Sequence, residues 1–101
     1  MTANELLAEL HPGRTILEDV LKPLGMSANA LAKELHVPAT RLNDIVRARR
    51  GVTADTALRL SRYLGTTAQF WLNLQAAYDL RVAERCSSST IKKQVNPRKA
   101  A

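Results

Sequence analysis

Residues 27–50 read SANALAKELHVPATRLNDIVRARR, and the fold follows from this stretch. It contains two short segments in which apolar residues recur at helical spacing, joined by three residues that leave no room for a flexible loop. The small residue Ala32 allows the two backbones to approach closely at a steep crossing. This pattern predicts a helix-turn-helix. The apolar faces consist of Ala28, Leu31, Ala32 and Leu35 in the first segment and Leu42, Ile45 and Val46 in the second.

The residues at the ends of the two segments fit this interpretation. Ser27 is a good N-cap for the first helix, and His36 stands where a left-handed residue would end it. Glycine is the usual residue in that conformation, although histidine tolerates it better than most other residues do. Pro38 keeps Val37 extended and can begin the second helix, which we expect over residues 39–47.

The sequence on either side predicts three further helices, and therefore an all-α fold of five helices. Apolar residues at helical spacing precede Gly25, a suitable C-terminal stop, and define the first helix. Thr53 and Thr67 are N-caps for the fourth and fifth helices. The five expected helices cover residues 14–24, 28–35, 39–47, 54–64 and 68–85.

The composition changes at both ends of this helical region. We therefore divide the chain into an N-terminal extension (1–12), a helix-turn-helix domain (13–85) and a flexible basic tail (86–101). A short amphipathic helix, capped by Asn4, is expected in the extension and ends at the HPG sequence. The tail begins CSSST and contains few apolar residues, as solvated segments do.

Positive charge is concentrated in two parts of the chain. The net charge is +6, and residues 41–62 carry six arginines against Asp44 and Asp55, whereas residues 1–40 are net negative. The last sixteen residues add four basic groups and no acid. Such blocks on a nearly neutral body predict a polyanionic partner, although a basic surface can also serve solubility alone.

Residue types for catalysis, metal binding and membrane insertion are sparse. His11 and His36 stand at helix ends, and a lone cysteine, Cys86, forms neither a zinc cluster nor an internal disulfide. We see no phosphate-binding glycine loop, no secretory signal and no apolar run of the ~18 residues that a membrane span needs. We therefore expect no enzyme activity, no cofactor, no metal and a cytoplasmic location.

The polar side of the second segment carries residue types that read bases in the major groove. At ~100° per residue, Thr40, Asp44 and Arg47 point away from the buried face, with Asn43 and Arg41 on either side. Arginine pairs with guanine, asparagine with adenine, and aspartate accepts from cytosine. We predict base contacts for all five residues. The alternatives are a solvated polar face and, for the aspartate, repulsion of phosphate.

Phosphate contacts are expected beside this face. Arg49 and Arg50 lie just past the second segment, where their charges can hold the DNA backbone. Ser27, Asn29 and Thr53 stand at helix starts, where free N–H groups favour an anion.

The fifth helix carries more apolar residues than one buried stripe requires. Phe70, Leu74 and Ala77 would suffice to pack it on the domain. The surplus suggests a second buried surface, formed with another copy or a partner, whereas the alternative is that all of it is core. The interface candidates are Trp71, Leu72, Leu74 and Tyr78.

Five motifs between His11 and Leu80 occur together in a known group of proteins. They are HPG before the first helix, LAKEL with V-P at the turn, RLNDIVR, the run GVTADTALRL and the ending FWLNLQAAYDL. With them the chain resembles the HigA-type antitoxins of the Xre/Cro-cI helix-turn-helix family. His36 departs from the glycine usual at the turn, and the tail after Arg85 extends beyond the core pattern.

This resemblance implies a five-helix, lambda repressor-like (Cro/cI) domain that binds a palindromic operator in double-stranded DNA as a homodimer. It also implies repression of the protein's own operon and neutralisation of a HigB-type, mRNA-cleaving toxin. By position, the recognition helix is residues 39–47, and the dimer surface involves the fifth helix. Two other interpretations stay open: a stand-alone Xre-type transcriptional regulator, and a protein-interaction module with vestigial DNA binding, which Asp44 in the reading face favours.

Overall fold

The computed structural model describes residue 7 and residues 10–99, and within them the fold is all-α. Five helices, which we call α1 to α5, follow one another along the chain. Helix α1 is continuous through Pro12–Thr15, Ile16–Leu21 and Lys22–Leu24; α2 is Ala28–Leu35, α3 is Ala39–Val46, α4 is Ala54–Leu64 and α5 is Ala68–Gln94. The predicted five-helix fold is therefore confirmed for the described residues. The Asn4 cap expected in the extension lies outside them.

Helix α1 widens into a π-helical turn at Ile16–Leu21. The sequence explains this turn, because Pro23 has no N–H to donate and its ring would strike the carbonyl of Asp19 in a regular α-helix. In the wider turn the N–H of Lys22 donates to the carbonyl of Leu17, five residues back, and the helix passes the proline without breaking.

The predicted N-caps of α2, α4 and α5 are confirmed. The hydroxyls of Ser27, Thr53 and Thr67 each accept a hydrogen bond from the backbone N–H three residues further on. His36 takes the expected left-handed conformation, with φ 56° and ψ 46°. A second non-glycine residue, Ala48, has φ 60° just after α3. Alanine is rare in that conformation, and local sequence rules do not predict it there.

The core lies between α1, α2, α3 and α4 and is closed by Trp71 from α5. Trp71 is 1% exposed, and its indole N–H donates to Thr66 Oγ1 at 2.8 Å, so its polar atom is satisfied as well. The assignment of Trp71 to a dimer interface is therefore wrong, and Phe70, expected in the core, is 43% exposed. The buried apolar residues are Ile16, Val20, Leu21, Leu31, Ala32, Leu35, Val37, Leu42, Ile45, Val52, Ala57, Leu60 and Trp71.

Helix α5 continues to Gln94 instead of ending near Arg85. The first part of the expected flexible tail is thus helical, although it is almost entirely exposed. Glycine is absent from this part of the sequence and proline first appears at Pro97, and Lys92 and Lys93 in the last turn interact favourably with the helix dipole. Among the described residues, no helix is both long and apolar enough to cross a bilayer.

Candidate nucleic-acid interface

A close backbone contact fixes α3 against the start of α1. Gly13 is buried in the first turn of α1, directly after Pro12. A Cβ atom on Gly13 would overlap the carbonyl oxygen of Ile45 and lie 2.8 Å from the carbonyl carbon of that residue. Since both groups are backbone, neither can turn aside. Gly13 therefore determines how closely the C-terminal half of α3, and with it the predicted reading face, lies against α1.

His11 joins the start of α1 to two other parts of the molecule. Its Nδ1 accepts from the N–H of Gly13 at 2.9 Å, and its ring meets that of Tyr78 edge-on, with centroids 4.7 Å apart. Burial lowers the pKa of His11, and the charge of Asp79 and a hydrogen bond to the backbone of Arg50 partly oppose this effect. His11 and Pro12, predicted from the sequence to lie in the extension, are both buried and belong to the domain.

The residues that follow Arg47, the C-cap of α3, form a turn that we call the arginine loop, residues 48–51. The N–H of Ala48 donates to the Ile45 carbonyl at 3.0 Å, and the N–H of Arg49 donates to the Asp44 carbonyl at 2.8 Å. These two bonds close the helix around the left-handed alanine in a Schellman motif. The arginines that follow therefore leave the helix end in a defined direction.

Gln75 of α5 holds the far end of the arginine loop. Its Oε1 accepts from the N–H of Val52 at 2.8 Å, and its Nε2 donates to the Asp79 carboxylate at 2.9 Å. A Cβ atom on Gly51 would lie 3.0 Å from the Gln75 amide, so the loop and α5 are in close contact. The sequence does not indicate this role of Gln75, because one glutamine on a helix carries no signal of a contact with a distant loop.

Three predicted base-reading residues of α3 present polar groups in different ways. Thr40 and Arg47 are exposed, as expected, although Arg47 is the C-cap of α3 and lies just outside the helix. Asp44 is half-buried, and its carboxylate lies 3.8 Å from the guanidinium of Arg50. The negative charge in the reading face is thus partly balanced by a neighbouring arginine, in an exposed pair worth about 0–1 kcal/mol.

Asn43 is held in place by a contact between the two helices of the helix-turn-helix. Its Nδ2 donates to Asn29 Oδ1 at 2.7 Å and to the Ala39 carbonyl at 2.9 Å. Asn29, expected at a phosphate, lies near the start of α2 and contacts this predicted base reader directly. Both residues are predicted from the sequence to lie in the interface, but the contact between them is not.

A cationic cleft of about 430 Å³ separates α3 from the start of α4. Arg41, Arg50 and Thr53 line it, together with Asp55. Arg41 donates to Asp55 at 3.0 Å, and Arg59 donates to the same carboxylate oxygen at 2.9 Å. The hydrogen bond from Arg59 and the one from Arg41 lower the pKa of the Asp55 carboxyl. The side chain of Arg41 therefore lies in the cleft beside Arg50 and Thr53, which were predicted to bind phosphate, although Arg41 itself was predicted to contact a base.

The four predicted interface residues of α5 do not form one exposed surface. Leu72 and Leu74 pack partly against the core, as Trp71 does fully, and Tyr78 is half-buried beside His11. The large exposed apolar residues of this region lie elsewhere: Phe70 is in the first turn of α5, Leu80 and Ile91 are further along the helix, and Val95 follows directly after its end.

Helices α2 and α3 are short and joined by a fixed turn, and α3 presents an exposed polar face with arginines beside it. These features define the helix-turn-helix class of DNA-binding domains. The helix-turn-helix family model matches residues 17–71. The chain is 59% identical, over 86 residues, to virulence-associated protein I of Dichelobacter nodosus, a match that covers 85% of this chain and 79% of that protein. The chain belongs to this helix-turn-helix family, in its Xre-like, HigA-type group.

Two solved structures are similar to this one along most of their length. An addiction module antidote protein of the HigA family from Coxiella burnetii has a TM-score of 0.82 and 48% identity, covering 87% of this chain and 96% of that one. The Pseudomonas aeruginosa antitoxin HigA, with the higBA promoter, has a TM-score of 0.84 and 43% identity, covering 88% of this chain and 97% of that one. This likeness extends the family assignment to the whole five-helix domain.

Proposed function

We propose that the chain is an antitoxin that binds a specific operator in double-stranded DNA and represses its own operon as a homodimer. One observation carries the proposal: the exposed reading face of α3 lies beside an arginine loop that α1 and α5 hold in a defined position. The likeness to Pseudomonas aeruginosa HigA, solved with the higBA promoter, supports DNA as the partner.

In this proposal α3 enters the major groove. Thr40, Asn43 and Arg47 contact base edges, while Arg49 and Arg50 bind the flanking phosphates. The cleft beside Arg41 provides guanidinium groups and the N-terminus of α4, where Thr53 is the N-cap, and both favour a phosphate oxygen. Ser27 and Asn29 at the start of α2 provide the same kind of contact. Asp44 stays compatible with DNA because Arg50 lies beside its carboxylate.

The proposed homodimer would use the C-terminal part of α5, from Leu80 onward. Leu80 and Ile91 are each at least half exposed and lie about three turns apart on one face of α5, and the exposed Val95 follows directly after the helix, so a second copy could cover them together. A two-fold dimer places its two recognition helices on half-sites about 34–36 Å apart, which matches a palindromic operator. Leu80→Glu should shift sedimentation toward the monomer, and an unchanged dimer would exclude this surface.

The proposed toxin partner is a HigB-type enzyme that cleaves mRNA. Its support is the likeness to antitoxins named for such modules. Co-purification with the small protein encoded next to this gene tests it. A stable complex supports the antitoxin function, whereas a chain that binds its operator but never its neighbour is a stand-alone Xre-type regulator.

A binding titration on DNA from directly upstream of the gene tests the repressor function. At two salt concentrations, the upstream fragment should bind more tightly than a scrambled fragment of equal length and composition. Affinity for both should fall as salt rises, because lysine and arginine contacts release counterions. Equal affinity for the two fragments would contradict specific repression and favour a protein-interaction module.

A further inference from the structure

The side-chain amide of Asn43 can face its surroundings in only one way. The Ala39 carbonyl is an acceptor and has no hydrogen, so the amide group 2.9 Å from it must be the nitrogen of Asn43 and cannot be the oxygen. The same nitrogen donates to Asn29 Oδ1 at 2.7 Å. An amide nitrogen carries two hydrogens, and these two bonds use both.

We infer that Asn43 reads DNA as a hydrogen-bond acceptor alone, and that Asn29 is the residue that positions it. The inference rests on the proposed function and specifies its base chemistry. With both N–H groups committed within the protein, the polar atom of Asn43 left for a base is Oδ1. In the major groove an acceptor recognises an exocyclic amino group, which is N6 of adenine or N4 of cytosine.

This chemistry differs from the usual pairing of asparagine with adenine. That pairing is bidentate: the amide oxygen accepts from N6, and the amide nitrogen donates to N7. In this arrangement Asn43 has no N–H to offer N7. We therefore expect Asn43 to favour adenine or cytosine on the strand that faces it. Thymine and guanine should be disfavoured, because they present a carbonyl oxygen to the amide oxygen.

Asn29 can serve the DNA backbone and Asn43 at once. Its Oδ1 accepts from Asn43, which leaves its own Nδ2 as a donor at the exposed start of α2. A phosphate oxygen that accepts from this Nδ2 would keep Oδ1 directed at Asn43. Contact with the backbone would then hold the base reader in its acceptor orientation.

Removal of a single adenine nitrogen tests the inference. Selection from randomised duplexes first identifies the base pair whose preference disappears in Asn43→Ala. Affinities are then measured for duplexes with adenine, 7-deazaadenine, which lacks only the N7 acceptor, or purine, which lacks the 6-amino group, at that position. The wild type should bind the first two within about twofold and lose about tenfold with purine, because only the contact to the amino group is present.

Two variants of Asn29 separate positioning from general stability. Asn29→Ala removes one of the two bonds to Asn43, so the amide can turn to adenine, and 7-deazaadenine should now weaken binding by about tenfold. Asn29→Asp keeps the acceptor oxygen and should remain insensitive to 7-deazaadenine, while its charge lowers affinity for every duplex. A purely structural role of Asn29 would lower affinity in both variants without any new sensitivity to N7.

The outcomes distinguish this inference from the proposed function. A tenfold loss with 7-deazaadenine in the wild type would overturn the inference and leave specific DNA binding intact. Specific binding that Asn43→Ala leaves unchanged at every position would also overturn it. If the wild type selected no sequence at all, the proposed function would be lost, and the inference with it.

Discussion

Single backbone positions hold the reading face where it is. Gly13 allows the start of α1 to touch the backbone of α3. Ala48 turns the chain sharply after α3 and so sets the direction in which Arg49 and Arg50 leave the helix. Neither residue offers a group that DNA would recognise. Their substitution should therefore affect folding in the absence of DNA, and this can be measured separately from binding.

Gly13→Ala should destabilise the fold by about 2–3 kcal/mol, since two backbone segments must separate to admit one methyl group. Chemical denaturation measures the loss. Gly25→Ala is the matched control, because a Cβ there meets open space and its cost is only that of the left-handed conformation, about 1 kcal/mol. Equal losses in the two variants would show that the contact with Ile45 imposes no constraint.

Ala48→Gly should stabilise the fold by about 0.5–1 kcal/mol, because glycine adopts the left-handed conformation without the strain that alanine bears. Ala76→Gly, in the exposed middle of α5, is the same chemical change in a helical residue and should destabilise by a similar amount. A higher unfolding free energy for Ala48→Gly and a lower one for Ala76→Gly would support backbone strain at Ala48. A decrease in both variants would contradict it.

At the scale of elements, α5 reaches across to the loop that α3 leads into. The Oε1 atom of Gln75 accepts a hydrogen bond from the N–H of Val52, and the His11 ring at the start of α1 packs edge-on against Tyr78 of α5. The position of the arginines therefore depends on three helices. A change on α5, far in sequence from the reading face, should alter DNA binding through this loop.

Gln75→Ala should cost about 1–3 kcal/mol of stability, because it leaves the partly buried Val52 N–H without its acceptor. It should also weaken specific and random DNA alike, since the loosened loop holds phosphate and reads no base. Gln69→Ala on the same helix removes only an exposed bond to Asn73 and should be nearly neutral in both assays. A Gln75→Ala variant that matches this control would rule out the role of Gln75.

The sequence predicted local features well and the contacts between elements poorly. The caps at Ser27, Thr53 and Thr67 and the left-handed His36 follow from rules that span three or four residues, and all are confirmed. The rotation of α5 about its axis depends on the whole core, so the sequence alone could not decide between Phe70 and Trp71 as the buried aromatic residue.

The sequence predicted several residues of the candidate site, but not which of them contact one another. The helical spacing of residues 39–47 correctly predicted that Thr40 and Arg47 are exposed. The bond between Asn29 and Asn43 joins residues 14 apart in sequence, and the bond from Val52 to Gln75 joins residues 23 apart. A single sequence carries no signal for such pairs, because each partner alone is an ordinary polar residue on a helix or loop.

At the scale of the whole molecule, we expect the protonation of His11 to make stability depend on pH. Burial lowers its pKa, so the folded chain resists a proton that the unfolded chain accepts as the pH falls below about 6.5. Because the unfolded state then binds more protons, the free energy of unfolding should decrease as the pH falls from about 7.5 to about 5.5. The pKa values of the Glu18 and Asp55 carboxyls, lowered by Lys22 and Arg59, place their titration below this window.

Denaturation at the two ends of that pH range tests this dependence. His11→Asn retains a capping acceptor and cannot take up a proton, so its stability should change less with pH than that of the wild type. His36→Asn replaces an exposed histidine and should keep the full decrease. An undiminished decrease in His11→Asn would assign the pH dependence to another group.

In the proposed complex with DNA, α3 reads bases while the arginine loop binds the backbone. This division is tested by measuring the binding of Arg47→Ala and Arg50→Ala to operator and random DNA at several salt concentrations, with Lys22→Ala on α1 as the matched loss of one charge. Arg47→Ala should lose about 1–3 kcal/mol on the operator and relax preference at one base pair. Arg50→Ala should weaken both DNAs equally and flatten the salt slope by about one. Equal losses on operator and random DNA for Arg47→Ala would show that Arg47 reads no base and that the recognition face is assigned wrongly.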